Sequence, residues 1–186
     1  MSTALPRSLL RIAYEQGERL ARLLDQLLDL SRLDAKRIRG SPQPVVLQSV
    51  LSKIAREALP QGTQVDLDVP DDLAVIADPL VLDRVVSNLL ANAARHGSPP
   101  ILLAAEQRDR HIRISVADGG EGVPDEIRPY VFERFERGAD APGSGLGLAI
   151  ARAYAQAHGG DLLYDDTGEG ARFEVVIPRS STVQRT

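Results

Sequence analysis

Between Asp118 and Leu148 the chain carries two glycine-rich turns, DGGEGVP at 118–124 and GSGLGLA at 143–149, with FERFER between them. A strand-like run, Ile112 to Ala117, leads straight into Asp118, and the second cluster opens the apolar helical run Leu146 to Ala157. Glycine at a strand exit and a helix entrance lets backbone approach a ligand closely, and the exposed N–H groups of a helix start favour an anion. The fold must present both turns, and the expected ligand is a nucleotide.

Around that stretch the apolar periodicity changes several times. From Ser8 to Arg39 it is helical: Leu20, Leu23, Leu24, Leu27, Leu28 and Leu30 recur at spacings of three and four, with charges between them. One amphipathic helix of about 45 Å is expected, with a leucine stripe that wants a partner helix. Gly40, Ser41, Pro42 and Pro44 end it. A second helix is expected over Gln48 to Ala58. Val65, Leu67 and Val69 then alternate with aspartates, and Pro70-Asp71-Asp72 precedes Leu73 to Ala77, which reads as a two-strand hairpin. Asp78-Pro79 is a helix start, and Leu80, Leu82, Val85, Val86, Leu89, Leu90 and Ala93 mark the buried side of a helix that stops at Gly97. Strands follow at Ile101 to Glu106, Ile112 to Ala117, Asp161 to Tyr164 and Arg172 to Ile177. Strand pairs between single helices predict an α+β fold: a two-layer α/β sandwich, its mixed, mostly antiparallel sheet carrying helices on one face, preceded by the long helix.

Composition excludes several function classes. With 186 residues and 43% hydrophobic content one good core is available, and the absence of cysteine rules out disulfides. Three scattered histidines, His96, His111 and His158, make a zinc site improbable. The net charge of −4 argues against nucleic acid as a partner. That charge is uneven: residues 1–39 hold eight basic and five acidic side chains, and the remaining chain holds 14 and 21. No apolar run approaches the roughly 20 residues of a membrane span, so a cytoplasmic location is expected, with any longer parent chain free to be membrane-anchored.

On the Pro79 to Arg95 helix, Asn88 and Asn92 are four apart and share a face. Two amide oxygens there suit a hydrated Mg²⁺; the alternative is that both amides hydrogen-bond locally. Arg95 adds a cation near the same face. Asp118 is either an ordinary turn aspartate or a carboxylate that accepts a hydrogen bond from an exocyclic amine. Gly143, Gly145 and Gly147 alternate with Ser144 and Leu146, so their N–H groups suit a phosphate cradle at a helix start. Neither a P-loop nor a dinucleotide-fold setting is present.

In this order the residues resemble the ATP-binding domain of sensor histidine kinases, within the superfamily shared with DNA gyrase, mismatch-repair ATPases and a heat-shock chaperone. NLLANAARH (Asn88 to His96) looks like the N box, DGGEGVP like the G1 box, VFERFER (Val131 to Arg137) like the F box and GSGLGLAI (Gly143 to Ile150) like the G2 box. The resemblance implies a Bergerat-type ATP-binding fold over residues 45–178 and residues 1–40 as the second helix of a dimerisation and phosphotransfer hairpin; the polar tail at 179–186 is expected to be disordered. It implies Mg²⁺ on Asn88 and Asn92, and Arg95 reaching the phosphates. Asp118 is implied to bind the adenine amino group, with Gly120 and Gly122 shaping its turn, and Phe132 and Phe135 to anchor a mobile lid. Gly143, Gly145 and Leu146 are implied to offer N–H groups to the triphosphate. His96, Val123, Arg137, Ser144 and Gly147 complete the implied ATP-binding set.

Departures from the family pattern are Gly119, Glu136 and Pro142, which bear on lid mobility and nucleotide affinity. A phosphoacceptor histidine in the family sits on the first hairpin helix, followed by an acidic residue. Here His96 precedes Gly97, His111 precedes Ile112 and His158 precedes Gly159, and none fits. The superfamily's ATPases carry a glutamate base one turn before the Mg²⁺ asparagine, where this chain has Asn88. The leading expectation is therefore an ATP-dependent histidine kinase part that donates phosphate to a histidine elsewhere. Its implied partners are a histidine-bearing hairpin helix, a downstream response regulator and a second copy paired through the amino-terminal helix. The alternatives are a nucleotide-gated binding or regulatory module and a serine kinase of the same superfamily.

Overall fold

The computed structural model describes residues 16, 17, 20, 21, 24–29, 31, 41–136, 143–166 and 168–179. It divides into two compact units, Met1–Arg37 and Ile38–Thr186. In the first, every described position is helical, and Leu20, Leu24, Leu27 and Leu28 are exposed. The ends expected for that helix, and residues 180–186 of the expected tail, lie outside the described residues, whereas Arg179 donates its N–H to the Arg110 carbonyl and accepts from Ile76 N–H.

The second unit runs β1 (Gln43–Val46), α1 (Leu47–Ala58), β2 (Val65–Asp68), β3 (Ala74–Ala77), α2 (Pro79–His96), β4 (Ile101–Arg108) and β5 (His111–Ala117). A 3-10 turn (Arg128–Tyr130), α3 (Gly147–Ala157), β6 (Asp161–Asp165) and β7 (Arg172–Pro178) follow. Its main sheet has the order β2-β4-β5-β7-β6, parallel between β2 and β4 and antiparallel elsewhere. Alternation along the strands puts one set of side chains on one face. Leu103, Val116 and Phe173 lie in one row across the strands, and Ala105, Ile114, Val175 and Leu162 in the next. All seven are buried. Helix α2 packs on β5, and α3 on β6 and β7. The helical stripes that meet the sheet include Val85, Val86, Leu89 and Leu90 from α2 and Ile150, Ala151 and Tyr154 from α3. This is the expected two-layer sandwich.

The expected hairpin between residues 65 and 77 does not form. Its turn is present, with Leu73 N–H donating to the Pro70 carbonyl, yet β2 joins β4 in parallel and β3 pairs antiparallel with β1 in a separate two-stranded sheet. The pattern in β3 buries Val75 and Ala77 but leaves open which backbone edge the strand joins. Strand β1 decides it: Leu47 N–H donates to the Leu73 carbonyl and clamps the strand beside the start of α1. Helix α1 accordingly begins at Leu47, one residue earlier than expected.

Asp78 starts α2 as its sequence suggests. One carboxylate oxygen accepts from Leu80 N–H and the other from Ser41 N–H, each at 2.8 Å, so a single side chain caps the helix and holds the chain entering β1. Asp78→Ala is expected to lower stability by about 1–2 kcal/mol, the range for loss of a strong N-cap. Denaturant unfolding checks this, and Asp78→Asn, which keeps an acceptor for Leu80, should lose less.

Candidate functional site

Helix α2 runs past both glycine turns. Near its middle, Asn88 donates its side-chain N–H to the Arg84 carbonyl at 2.7 Å, which turns Oδ1 away from its own helix. That oxygen faces the first residue of α3: a Cβ at Gly147 would lie 3.1 Å from it, so glycine keeps the amide oxygen uncovered. Asn92 follows one turn later, half-buried on the same side. Arg95 reaches the start of the second cluster, where a Cβ at Gly143 would lie 3.3 Å from its guanidinium. Gly97, which ends the helix, packs directly under the Asp118 carboxylate. From Asn88 to Gly97 the helix rises about 13 Å.

Asp118 follows β5 and is 6% exposed. Its Oδ1 accepts from Gly120 N–H at 2.9 Å and, more weakly, from Ala171 N–H at 3.5 Å. Its own N–H donates to the Ala171 carbonyl at 3.0 Å. Among the described residues none donates a hydrogen bond to Oδ2. Glycines from three elements make the position possible. A Cβ at Gly97 would overlap the Asp118 side chain, one at Gly170 would overlap its carbonyl oxygen, and one at Gly120 would meet Oδ1 at 2.9 Å. Sequence reasoning missed Gly97, Gly170 and Ala171. Gly97 reads as a helix stop and Gly170 as part of a hairpin turn, and only the tertiary packing brings them to Asp118.

His96, between Arg95 and Gly97, has its pKa lowered below the ordinary imidazole value. Partial desolvation contributes most, the Arg95 charge adds to it, and the Asp118 carboxylate opposes it.

The F box and the second glycine turn touch. Phe135 N–H donates to the Gly145 carbonyl at 2.9 Å, and a Cβ at Gly145 would lie 2.7–2.9 Å from the Phe135 and Glu136 backbone. Both residues have positive φ, +67° at Phe135 and +69° at Gly145, a strain that phenylalanine bears only with such support. The two aromatic residues differ. Phe132 packs edge-on to Phe173, centroids 6.2 Å apart, with the Arg152 guanidinium 4.9 Å above its ring, whereas the Phe135 side chain is 65% exposed. Arg152 is in turn paired with Asp161, whose pKa is lowered chiefly by that hydrogen bond.

In the second turn Gly143 and Gly145 both have positive φ, and Ser144 Oγ accepts from Leu146 N–H at 3.3 Å. Leu146 itself is buried and its carbonyl accepts from Ile150 N–H, so the residue seats the start of α3. In the first turn Gly122 has φ +80°, and both backbone groups of Val123 are hydrogen-bonded, its N–H to the Tyr164 hydroxyl and its carbonyl from Arg128. Arg137, expected with this set, lies outside the described residues. Among the described residues no three His, Asp or Glu side chains converge as a metal centre. No described helix is long and apolar enough to cross a membrane.

A sequence model described as histidine kinase-, DNA gyrase B- and HSP90-like ATPase matches residues 77–181, more than half of the chain. The chain belongs to this ATPase family. Within the family its relatives are sensor histidine kinases. It is 34% identical over 175 residues to the signal transduction histidine-protein kinase AfsQ2 of Streptomyces coelicolor, which covers 91% of this chain and 32% of that protein. It is 40% identical over 164 residues to the signal transduction histidine-protein kinase/phosphatase MprB of Mycolicibacterium smegmatis, covering 83% of this chain and 32% of that one. Among solved structures, full-length ShkA in complex with AMPPNP superposes with a TM-score of 0.81 at 31% identity, over 98% of this chain and 41% of that chain. The chain thus spans about a third of the length of these two sequence relatives.

The His96 environment yields a pH prediction. Because folding lowers this pKa, the unfolded chain takes up the proton first, so His96 costs no stability above about pH 6.5 and destabilises the fold as pH falls below it. NMR titration should place His96 below that value, and Asp118→Asn should move it lower still by removing the carboxylate that opposes the shift. An upward movement would contradict the arrangement.

Proposed function

We propose that this chain is the ATP-binding catalytic part of a two-component sensor histidine kinase, positioning Mg·ATP so that a histidine outside the 186 residues attacks the γ-phosphate. The observation that carries the reading is the run of α2 past both turns, with an amide oxygen and a guanidinium against the second glycine cluster and, at the Gly97 end, a buried carboxylate. Asp118 Oδ2 is the acceptor for the adenine amino group. Gly120, Gly122 and Val123 form the turn beneath the base. Arg95, Ser144 and the backbone around Gly143, Gly145, Leu146 and Gly147 face the phosphates, and His96 lies at the Asp118 end of the nucleotide. Phe132 holds the base of the lid by packing, and Phe135 by its backbone bond to Gly145. That ShkA was solved with AMPPNP, an ATP analogue, supports a nucleoside triphosphate as the ligand.

Asn88 and Asn92 fit Mg²⁺, because the Asn88 nitrogen is committed to the Arg84 carbonyl and presents the oxygen, a neutral ligand that a hydrated Mg²⁺ accepts. Bound there, the ion would offset charge on the β- and γ-phosphates. The residues of the site then act by orientation, which is most of what phosphoryl transfer requires. An imidazole nitrogen of the acceptor forms an N–P bond as the bond from the γ-phosphorus to its bridging oxygen breaks. ADP leaves, and the imidazole proton passes to solvent. Asn88 stands where a water-activating base would be needed, and an amide already donating to Arg84 takes up no proton. Hydrolysis should accordingly be slow.

None of the chain's histidines lies in residues 1–40, and His158 caps α3 with Nδ1 2.9 Å from the Tyr154 carbonyl. The acceptor is therefore assigned to a histidine-bearing hairpin helix, and the phosphate then passes to a response regulator. The exposed leucines 20, 24, 27 and 28 suit pairing of that hairpin, including pairing with a second copy. The working location is cytoplasmic, on a parent chain that is free to be membrane-anchored.

Incubation with γ-labelled ATP and a histidine-bearing hairpin tests the reading. Label on the hairpin histidine supports phosphotransfer, and ATP binding with no label transferred would favour a binding module. Asn92→Ala should cost the Mg²⁺-dependent part of ATP affinity, on the order of tenfold as for one charge-assisted contact, with the unfolding midpoint kept. Calorimetric titration with and without Mg²⁺ checks this, and an unchanged titration would sink the metal assignment.

A further inference from the structure

The turn after Asp118 is held from outside by a side chain that the nucleotide reading does not use. Arg128, at the start of the 3-10 turn, donates from Nε to the Val123 carbonyl at 2.7 Å. Its Nη1 pairs with Asp125 and with Asp166 beyond the end of β6, and its guanidinium lies 6.0 Å from the Tyr164 ring centroid. The same Tyr164 accepts the Val123 N–H through its hydroxyl at 3.3 Å. Gly122, at φ +80°, packs against the Gly170 carbonyl, where a Cβ would come within 3.1 Å. Both backbone groups of Val123 are thus fixed by side chains from two other segments. One cation links the turn, the approach to Phe132 and the edge strand of the sheet. Surface ion pairs alone contribute little, but a hydrogen bond from a charged donor to a backbone carbonyl, backed by two carboxylates, fixes orientation as well as proximity.

We propose that Arg128 is a positioning residue for the base end of the nucleotide site, with Asp166 and Tyr164 as its supports; this rests on the reading of Asp118 as the adenine-binding carboxylate. Arg128 sets the Gly122–Val123 peptide so that the wall beside the base is formed before ligand arrives. Its loss leaves that wall to be ordered by the ligand, which lowers affinity for the nucleoside part and spares the phosphate contacts.

The test is calorimetric titration of ATP, ADP and adenosine into the full chain and into Arg128→Ala, Arg128→Lys, Asp166→Asn and Tyr164→Phe, with thermal midpoints measured in parallel. Arg128→Ala should weaken all three ligands by a common factor of about ten, the loss expected of one charged hydrogen bond. Arg128→Lys should recover little of it, because an ammonium does not reproduce the forked contact. Asp166→Asn and Tyr164→Phe, which keep the fold if Arg128→Ala does not, should each weaken binding a few-fold, again equally for the three ligands. Combining Asp166→Asn with Arg128→Ala should add nothing further, since the carboxylate acts through the guanidinium. Lower thermal midpoints with unchanged affinities would overturn the proposal, and so would losses confined to ATP and ADP. If the unaltered chain binds none of the three ligands, the adenine reading fails first and the positioning role with it.

Discussion

A carboxylate buried as deeply as Asp118 is stable only where hydrogen-bond donors meet it, and here the donors are backbone N–H groups from its own turn and from Ala171, just before β7. Backbone donors approach that closely only where neighbouring residues lack side chains, and three glycines from three parts of the chain provide the room. The rest of the site inherits its position from this arrangement. Gly97 packs the end of α2 against the carboxylate, Gly170 packs the β6–β7 turn against the Asp118 backbone carbonyl, and β5 pairs with β7 beside them.

Helix α2 converts that local constraint into a site with two ends. Its buried stripe fixes it on the sheet, so the polar residues on its flank take up set places along its length. Asn88 and Arg95 lie against the glycine cluster that starts α3, and Gly97 lies against Asp118. Between the ends runs the F box segment, packed at Phe132 and hydrogen-bonded at Phe135. On the reading proposed above, a nucleotide would set its base at the Asp118 end and its phosphates at the glycine-cluster end.

Where the sequence was informative, local chemistry and spacing were the reason. The Asp78-Pro79 helix start, the apolar stripe of α2 and the alternation in β5 and β7 each have a short-range physical cause, and each stands in the structure. The asparagine pair and the two glycine turns were legible for the same reason. Strand β1 was not, since Gln43-Pro44 reads as part of a break and proline is tolerated only in an edge setting. The pairing of β2 with β4 was hidden because alternation identifies the buried face of a strand but not its neighbour. Gly97 and Gly170 meet Asp118, and Tyr164 meets Val123, from positions distant in sequence, so no local pattern announces them.

The central proposal is that Oδ2 of Asp118 accepts from an exocyclic amine. Comparing ATP with inosine triphosphate in one calorimetric series tests it most directly, because the two differ at the ring position where adenine carries its amine and hypoxanthine a carbonyl. The account predicts that ATP binds at least about a hundredfold more tightly, since a carbonyl facing a buried carboxylate leaves two acceptors opposed and unpaired. Equal affinities for the two nucleotides would contradict it.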